Sequence, residues 1–217
     1  MSKKSGKTRA QSGKSMTKRS PAGKTSMGRG TKTRRVPVVA IIVTLIAALA
    51  IGGGIYGYYS LKRAREAAQV TYTVRIETNK GPIVMDIYGK LMPVTVANFK
   101  KLAGSGFYDG LTWHRVENWV VQTGDPAGTG SGGSGERIKL ETSPELKNVR
   151  GAVAMARSSD RNSATSQFYI LRTDANWLDG DYAVFGRVIE GMDVVDQLAQ
   201  GDTMIKVTIK PAEAEPQ

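Results

Sequence analysis

An uncharged run of 24 residues, Val36 to Tyr59, constrains this chain more than any other feature. About 20 apolar residues suffice to cross a bilayer as a helix, and three tyrosines gather at the end of the run, as aromatic residues do at membrane interfaces. We therefore predict a transmembrane helix over 36–60. A cleaved signal peptide is the alternative, because Ala48-Leu49-Ala50 resembles a small-residue cleavage site. A buried core helix is disfavoured, since no face of the run is polar.

The basic residues that set the net charge precede this run. Residues 1–35 contain twelve lysines and arginines and no acidic residue, which accounts for the net charge of +12. A polar tail without aromatic residues cannot bury enough apolar surface to fold, so we predict that residues 1–35 are disordered. The positive-inside rule places this tail in the cytoplasm, against anionic lipid headgroups, and the rest of the chain outside.

The composition after the tail limits the binding partners of the folded part. Its 19 basic residues balance its 19 acidic residues, so a specific nucleic-acid site is not expected there, although the tail itself could contact DNA or RNA. The chain has no cysteine, so its core rather than disulfides must stabilise an extracytoplasmic domain.

Residues 61–70 read as a linker, residues 71–210 as one β-rich domain and residues 211–217 as a C-terminal tail. Alternating apolar residues on both sides of Asn79-Lys80-Gly81 predict a β-hairpin. Pro93 opens a predicted helix, and a second helix is predicted over 192–199. Strands outnumber helices without a βαβ repeat, which favours a mostly antiparallel barrel or sandwich with two helices.

The stretch from Leu111 to Asp125 carries the most informative pattern. Two predicted strand segments, Leu111–Val116 and Trp119–Thr123, are separated by Glu117-Asn118. Arg115 lies in the first segment, where its guanidinium needs a salt bridge or a ligand because its neighbours are so apolar. The alternative is an edge-strand arginine whose stem covers apolar surface.

Several common chemistries find little support. With one histidine, no cysteine and no clustered carboxylates, the chain offers no evident metal site, and we expect no cofactor. No G-x-S-x-G motif is present, and His114, the only imidazole, is interpreted as a core or supporting residue. The spacing of Gly128, Gly130 and Gly133 matches G-x-G-x-x-G, but no helix begins there, so we expect a mobile surface loop.

The remaining arginine, glutamines and aromatic residues suit a reaction that breaks no covalent bond. Rotation about an X-Pro amide is slow because the C–N bond has partial double-bond character, with a barrier of roughly 20 kcal/mol. A catalyst could hold the proline ring in an apolar pocket and donate a hydrogen bond to the prolyl nitrogen as it loses conjugation. A guanidinium, which stays protonated, is well suited to that donation.

Five motifs, in this order and spacing, resemble those of the cyclophilin family of peptidyl-prolyl isomerases. They are His114-Arg115-Val116, Gln122-Thr123-Gly124-Asp125, Met155-Ala156-Arg157, Ser166-Gln167-Phe168-Tyr169, and Trp177-Leu178-Asp179-Gly180 with Val184-Phe185-Gly186. The resemblance covers nearly all of Tyr72 to Lys210. It implies a closed eight-stranded antiparallel β-barrel with two capping helices.

The resemblance also implies the roles of individual residues. Arg115 would be the catalytic residue. The substrate-binding residues would be Trp119, Val120, Gln122, Ala156, Arg157, Gln167, Tyr169, Trp177, Leu178 and Tyr182. Trp177 stands where the family binds cyclosporin, so cyclosporin-like ligands are expected. Five positions depart from better-studied members: Trp119 and Tyr169 replace phenylalanines, Val120 a methionine, Arg157 an asparagine and Tyr182 a histidine.

Our leading hypothesis is a membrane-anchored bacterial isomerase that acts on X-Pro bonds of exported proteins and assists their folding. Its N-terminus would be cytoplasmic and its catalytic domain extracytoplasmic. One alternative is a membrane-tethered module that binds proline peptides as a chaperone without significant catalysis. Another is an anchor whose basic tail recruits nucleic acid or lipid.

Overall fold

The computed structural model describes residues 69–212 and, before them, the single helical residue Ile55. The predicted tail, almost all of the predicted membrane span and linker, and residues 213–217 lie outside the described part of the chain. Within that part, no helix is both long enough and apolar enough to cross a bilayer.

Residues 69–212 contain eight strands and two helices. The strands are β1 (Tyr72–Thr78), β2 (Gly81–Ile87), β3 (Arg115–Val116), β4 (Val120–Thr123), β5 (Ala152–Met155), β6 (Phe168–Leu171), β7 (Val184–Glu190) and β8 (Met204–Pro211). The helices are α1 (Pro93–Gly104) and α2 (Met192–Gln197), with one 3-10 turn at Asn176–Leu178. All neighbouring strands are antiparallel, in the order β3-β4-β6-β5-β7-β2-β1-β8.

The predicted hairpin is confirmed by the pairing of β1 with β2. Val74 and Ile76 are buried while Arg75 between them is exposed, and Ile76 lies opposite Ile83 in the register. Period-two alternation of apolar residues therefore places one face of this hairpin in the core.

The expectation of a closed barrel is wrong. Within residues 69–212, the edge strands β3 and β8 do not pair with each other as a ladder. Between them lies one isolated β-bridge, from Thr112 to Thr203. Beside this bridge, the Trp113 amide donates a hydrogen bond of 2.8 Å to the Asp202 carbonyl. Most of the predicted segment Leu111–Val116 is not a paired strand, which leaves β3 only two residues long and too short for a ladder with β8. The sheet is therefore an open half-barrel of eight antiparallel strands.

The central strands are buried on both faces. Every residue of β5 and β6 is buried, because alternate side chains enter two different apolar clusters. The larger cluster lies under α1, where the rings of Tyr108, Phe168 and Phe185 have their centroids 5.1 to 5.5 Å from that of Phe99. The smaller cluster, on the opposite side of the sheet, includes Tyr169. Burial on both faces explains why these strands are continuous apolar runs.

Helix α1 is capped by a residue from a distant loop. Met92, at the N-cap position, makes no side-chain cap hydrogen bond. Instead the Glu141 carboxylate accepts hydrogen bonds from the amides of Val94 (3.0 Å) and Thr95 (2.7 Å) and from the Thr95 hydroxyl (2.8 Å). A negative charge at this end also interacts favourably with the helix dipole.

We predict that Glu141→Ala lowers the free energy of unfolding by about 1–2 kcal/mol, because two helix amides lose their acceptor. Urea denaturation of the variant and the wild type would measure this change. Glu136→Ala is the matched control, since among residues 69–212 that exposed carboxylate contacts only the ammonium group of Lys101, at 2.8 Å. Equal losses in the two variants would show that the cap contributes nothing specific.

Candidate active site

The hairpin of β3 and β4 places an arginine opposite a glutamine. Arg115 and Gln122 are partners in its register, and the Arg115 Nη1 atom donates to Gln122 Oε1 at 3.1 Å. The turn is closed by hydrogen bonds between the backbones of Glu117 and Val120, at 2.8 and 3.3 Å. Strand pairing therefore brings the arginine, whose side chain is 42% exposed on an edge strand of the described sheet, within hydrogen-bond distance of a polar partner.

The side chain of Gln122 is held in turn by a second glutamine, Gln167, which immediately precedes β6. Gln122 Nε2 donates to Gln167 Oε1 at 2.7 Å, and Gln167 Nε2 donates to the carbonyls of Gly130 (2.9 Å) and Gly132 (2.7 Å). Gln167 is buried. The arginine side chain is therefore linked through two amides to the backbone of the glycine-rich loop.

That loop is folded around a buried carboxylate. Asp125, whose residue is 1% exposed, accepts hydrogen bonds from four backbone amides, those of Ala127 (2.9 Å), Thr129 (2.9 Å), Gly130 (2.7 Å) and Gly132 (3.1 Å). Burial opposes ionisation of Asp125, but its backbone hydrogen bonds and the Thr129 hydroxyl together lower its pKa to about 2. The loop expected to be mobile is thus internally anchored.

A glycine is required where β4 enters this loop. Gly124 has a φ of +90°, and a Cβ atom there would lie 2.4 Å from the Ser166 carbonyl oxygen. Only glycine combines this left-handed conformation with such close backbone approach, which explains the Gly124-Asp125 pair at the end of the strand.

A cavity of about 90 Å³ opens beside Arg115. It is lined by nine residues, all of which the sequence predicted: Arg115, Trp119, Val120, Gln122, Ala156, Arg157, Tyr169, Leu178 and Tyr182. The other two predicted residues lie close by. Gln167 is behind Gln122, and Trp177 is 68% exposed, with its ring centroid 5.8 Å from that of Trp119.

Apart from Arg115, Gln122 and Arg157, the residues that line the cavity are apolar or aromatic. Tyr169 is buried, its ring stands edge-on to Tyr182 at 6.0 Å, and its hydroxyl donates to Asn148 Oδ1 at 2.9 Å. Burial raises the pKa of Tyr169, so this hydroxyl stays protonated.

A second cavity of about 430 Å³ shares Ala156 and Arg157 with the first, and Gln167 also lines it. The two cavities therefore adjoin along the end of β5.

Arg157 lies where the cavities meet. Its Nε atom donates to the Asp181 carbonyl and its Nη1 atom to the Ser158 carbonyl, both at 2.9 Å. Its guanidinium carbon lies 4.6 Å from the centroid of the Tyr182 ring. These contacts fix the arginine at the rim instead of letting it fill either cavity.

His114 is not arranged as a base. Burial lowers the pKa of His114 in spite of the opposing influence of Asp125 and Gln167, and no carboxylate among the described residues accepts a hydrogen bond from its ring. No group of three or more metal-ligating side chains occurs within residues 69–212. The residues that line the cavity offer a guanidinium hydrogen-bond donor beside apolar side chains.

Comparison with known proteins identifies the family. The model of the family described as cyclophilin type peptidyl-prolyl cis-trans isomerase/CLD matches residues 73–214. The chain belongs to the cyclophilin family. Its activity class is therefore cyclophilin-type peptidyl-prolyl cis-trans isomerase.

Individual relatives agree with this assignment. A peptidyl-prolyl cis-trans isomerase of Helicobacter pylori is 42% identical over 153 residues, which are 69% of this chain and 92% of that protein. One of Acinetobacter baylyi is 42% identical over 137 residues, 60% of this chain and 73% of that protein. A crystal structure of a Cryptosporidium parvum cyclophilin type isomerase superposes with a TM-score of 0.60 at 29% identity, covering 67% of this chain and 99% of that one.

Sequence reasoning missed two residues that support the candidate site. Asn148 accepts the Tyr169 hydrogen bond and is itself held by Asp179, but nothing in its own neighbourhood of the sequence indicates the contact. The sequence pattern marks Glu117 only as a break between two strands. Its carboxylate accepts hydrogen bonds from Arg115 and Trp119, and these bonds lower the pKa of Glu117. The spacing of Arg115, Glu117 and Trp119 across a tight turn was the available signal.

We predict that Asp125→Asn destabilises the cyclophilin domain by roughly 2 kcal/mol at pH 7, because a neutral amide cannot accept all of these bonds. The folded-state pKa of about 2 lies below the ordinary value of 3.8, so this stabilisation is present above about pH 4 and is lost as the pH falls towards 2. Urea unfolding at pH 7 and at acidic pH would measure the difference between variant and wild type.

The difference between Asp125→Asn and the wild type should shrink with acidification. Glu190→Gln, a change at an exposed position at the end of β7, is the control for general charge effects. A deficit of constant size between pH 7 and pH 2.5 would contradict the electrostatic account of Asp125.

Proposed function

We propose that Arg115 is the catalytic residue of this isomerase and donates a hydrogen bond to the prolyl nitrogen. The observation that carries the proposal is the fixed guanidinium at the mouth of an apolar cavity. Its Nε atom donates to Glu117 and its Nη1 atom to Gln122, while Nη2 makes no hydrogen bond within the described part of the chain. The side chain is 42% exposed, so a substrate can reach it.

This arrangement accounts for catalysis without a covalent step. A proline ring seated against Val120, Tyr169 and Leu178 would be fixed while the rest of the peptide rotates about the C–N bond. As rotation breaks conjugation, the lone pair of the prolyl nitrogen becomes localised on that atom and can accept a hydrogen bond from the guanidinium. An acceleration of about 10⁴-fold requires roughly 5 to 6 kcal/mol, which a few charge-assisted hydrogen bonds to the bound substrate can supply.

The substrates proposed are polypeptides that contain X-Pro bonds. A crystal structure of the Cryptosporidium parvum isomerase was determined in the presence of the dipeptide Ala-Pro, and it aligns with this chain at 30% identity and a TM-score of 0.59. Ala156, Arg157 and Gln167 would meet the substrate backbone, and the larger cavity provides room for residues that flank the proline. Trp177, with its exposed indole, is proposed as the contact for cyclosporin-like ligands.

We expect Arg115→Ala to lower kcat/KM for an X-Pro peptide about a hundredfold, or about 2.7 kcal/mol, because the transition state loses its donor. Isomerisation rates by NMR exchange would measure this. Arg75→Ala is the matched control, since Arg75 also pairs with a glutamate two residues further along its strand. A wild-type rate in Arg115→Ala would remove Arg115 from the mechanism, and no acceleration by the wild type would leave a proline-peptide-binding module.

The proposed location is the cell membrane, with the cyclophilin domain outside the cytoplasm. It is supported by the uncharged run over 36–60 and the basic residues that precede it. We predict that the expressed full chain stays in the membrane fraction after carbonate extraction, whereas a chain starting at Leu61 does not. Release of the full chain by carbonate, or a mature N-terminus directly after Ala50, would contradict a transmembrane anchor.

A further inference from the structure

The turn between β3 and β4 carries a carboxylate that joins two residues of the site. Glu117 Oε1 accepts from Arg115 Nε at 2.6 Å, and Glu117 Oε2 accepts from Trp119 Nε1 at 2.8 Å. The Arg115 guanidinium carbon lies 5.3 Å from the centroid of the Trp119 ring. One side chain therefore contacts both the proposed catalytic donor and a wall of the cavity.

The backbone of Glu117 is held in place independently of these contacts. Its amide donates to the Val120 carbonyl at 2.8 Å. Its carbonyl accepts from Arg172 Nη1 at 3.2 Å, and the same guanidinium donates to the carbonyls of Val195 and Leu198 at the end of α2. The turn that carries the Glu117 carboxylate is thus held both by the backbone of Val120 and by the Arg172 guanidinium.

A second pair on β1 shows what is particular to Glu117. Arg75 and Glu77 have the same spacing, with Arg75 Nε 2.5 Å from Glu77 Oε1. In the part of the chain that the structure describes, the other oxygen of Glu77 has no hydrogen-bond donor. An arginine and a glutamate two residues apart therefore form only an ordinary exposed ion pair on β1. The hydrogen bond from the Trp119 indole to Glu117 distinguishes the pair of Arg115 and Glu117 from it.

A planar guanidinium that is hydrogen-bonded through two of its nitrogens is held in one orientation more firmly than one bound through a single nitrogen. Gln122 binds Nη1 and Glu117 binds Nε, which leaves Nη2 for the substrate. Without Glu117, the guanidinium could rotate about its hydrogen bond to Gln122, and Nη2 would occupy many positions. A donor that is not held in position for the substrate stabilises the transition state less, which slows the reaction.

We propose that Glu117 is a positioning residue for isomerisation, which sets the plane of the Arg115 guanidinium and fixes Trp119 against it. This inference rests on the proposed catalytic role of Arg115. The alternative is that Glu117 and Arg115 form only an exposed ion pair, since their side chains are 45% and 42% exposed and such pairs usually contribute little.

A double-mutant cycle on the full chain tests the proposal, with kcat for an X-Pro peptide as the readout. We expect Glu117→Ala to lower kcat about tenfold when Arg115 is present, and by less than about twofold in the Arg115→Ala background, because the effect acts through the arginine. Glu117→Gln, which keeps one acceptor oxygen, should be intermediate. Glu77→Ala is the matched control and should leave kcat unchanged.

Three results are decisive against the proposal. Equal losses from Glu117→Ala in both backgrounds would mean a general structural effect, and no loss in either would leave only an exposed ion pair. A wild-type rate in Arg115→Ala would overturn the catalytic role of Arg115 itself. The Arg115→Ala variant alone therefore tests the proposed function, and the Glu117 variants test the positioning role. If circular dichroism shows that Glu117→Ala is not folded, Glu117→Gln completes the same cycle.

Discussion

The series of hydrogen bonds from Arg115 through Gln122 and Gln167 to the glycine-rich loop is the interaction on which the site depends. Each bond needs a partner from a different strand or loop, so the series forms only when β3, β4 and β6 pair in their native register. It ends on the carbonyls of a loop that Asp125 holds from within. Rigid backbone thus determines the position of an otherwise flexible guanidinium.

Burial of both faces of the central strands gives that series a rigid base. Phe168 and Tyr169 are neighbours in β6, yet one enters the core under α1 and the other forms the wall of the small cavity. A change of register by one residue would exchange them and destroy both the core and the cavity. Stability of the fold and shape of the site are therefore set by the same strand pairing.

Much of the site could be predicted from the sequence, because the motifs that mark it are short and local. The pattern around Arg115 indicated a paired guanidinium in an apolar stretch, and the family resemblance supplied all nine residues that line the small cavity. The closed barrel inferred from the same resemblance is wrong. The apolar pattern of Leu111–Val116 indicates a strand, but it does not show whether a partner lies beside it, and β3 is only two residues long.

The sequence by itself determined the family, the hairpin of β1 and β2, and the residue types at the cavity, since each depends on local periodicity or on motifs in register. Only the tertiary structure decided that Glu141 caps α1, that Asn148 holds Tyr169 and that Glu117 joins Arg115 to Trp119. The first two contacts cross 46 and 21 residues of sequence, and all three depend on the geometry of loops and turns. For Glu141 and Asn148 the sequence carries no signal of the distant partner, because the same carboxylate or amide serves equally well on an exposed surface.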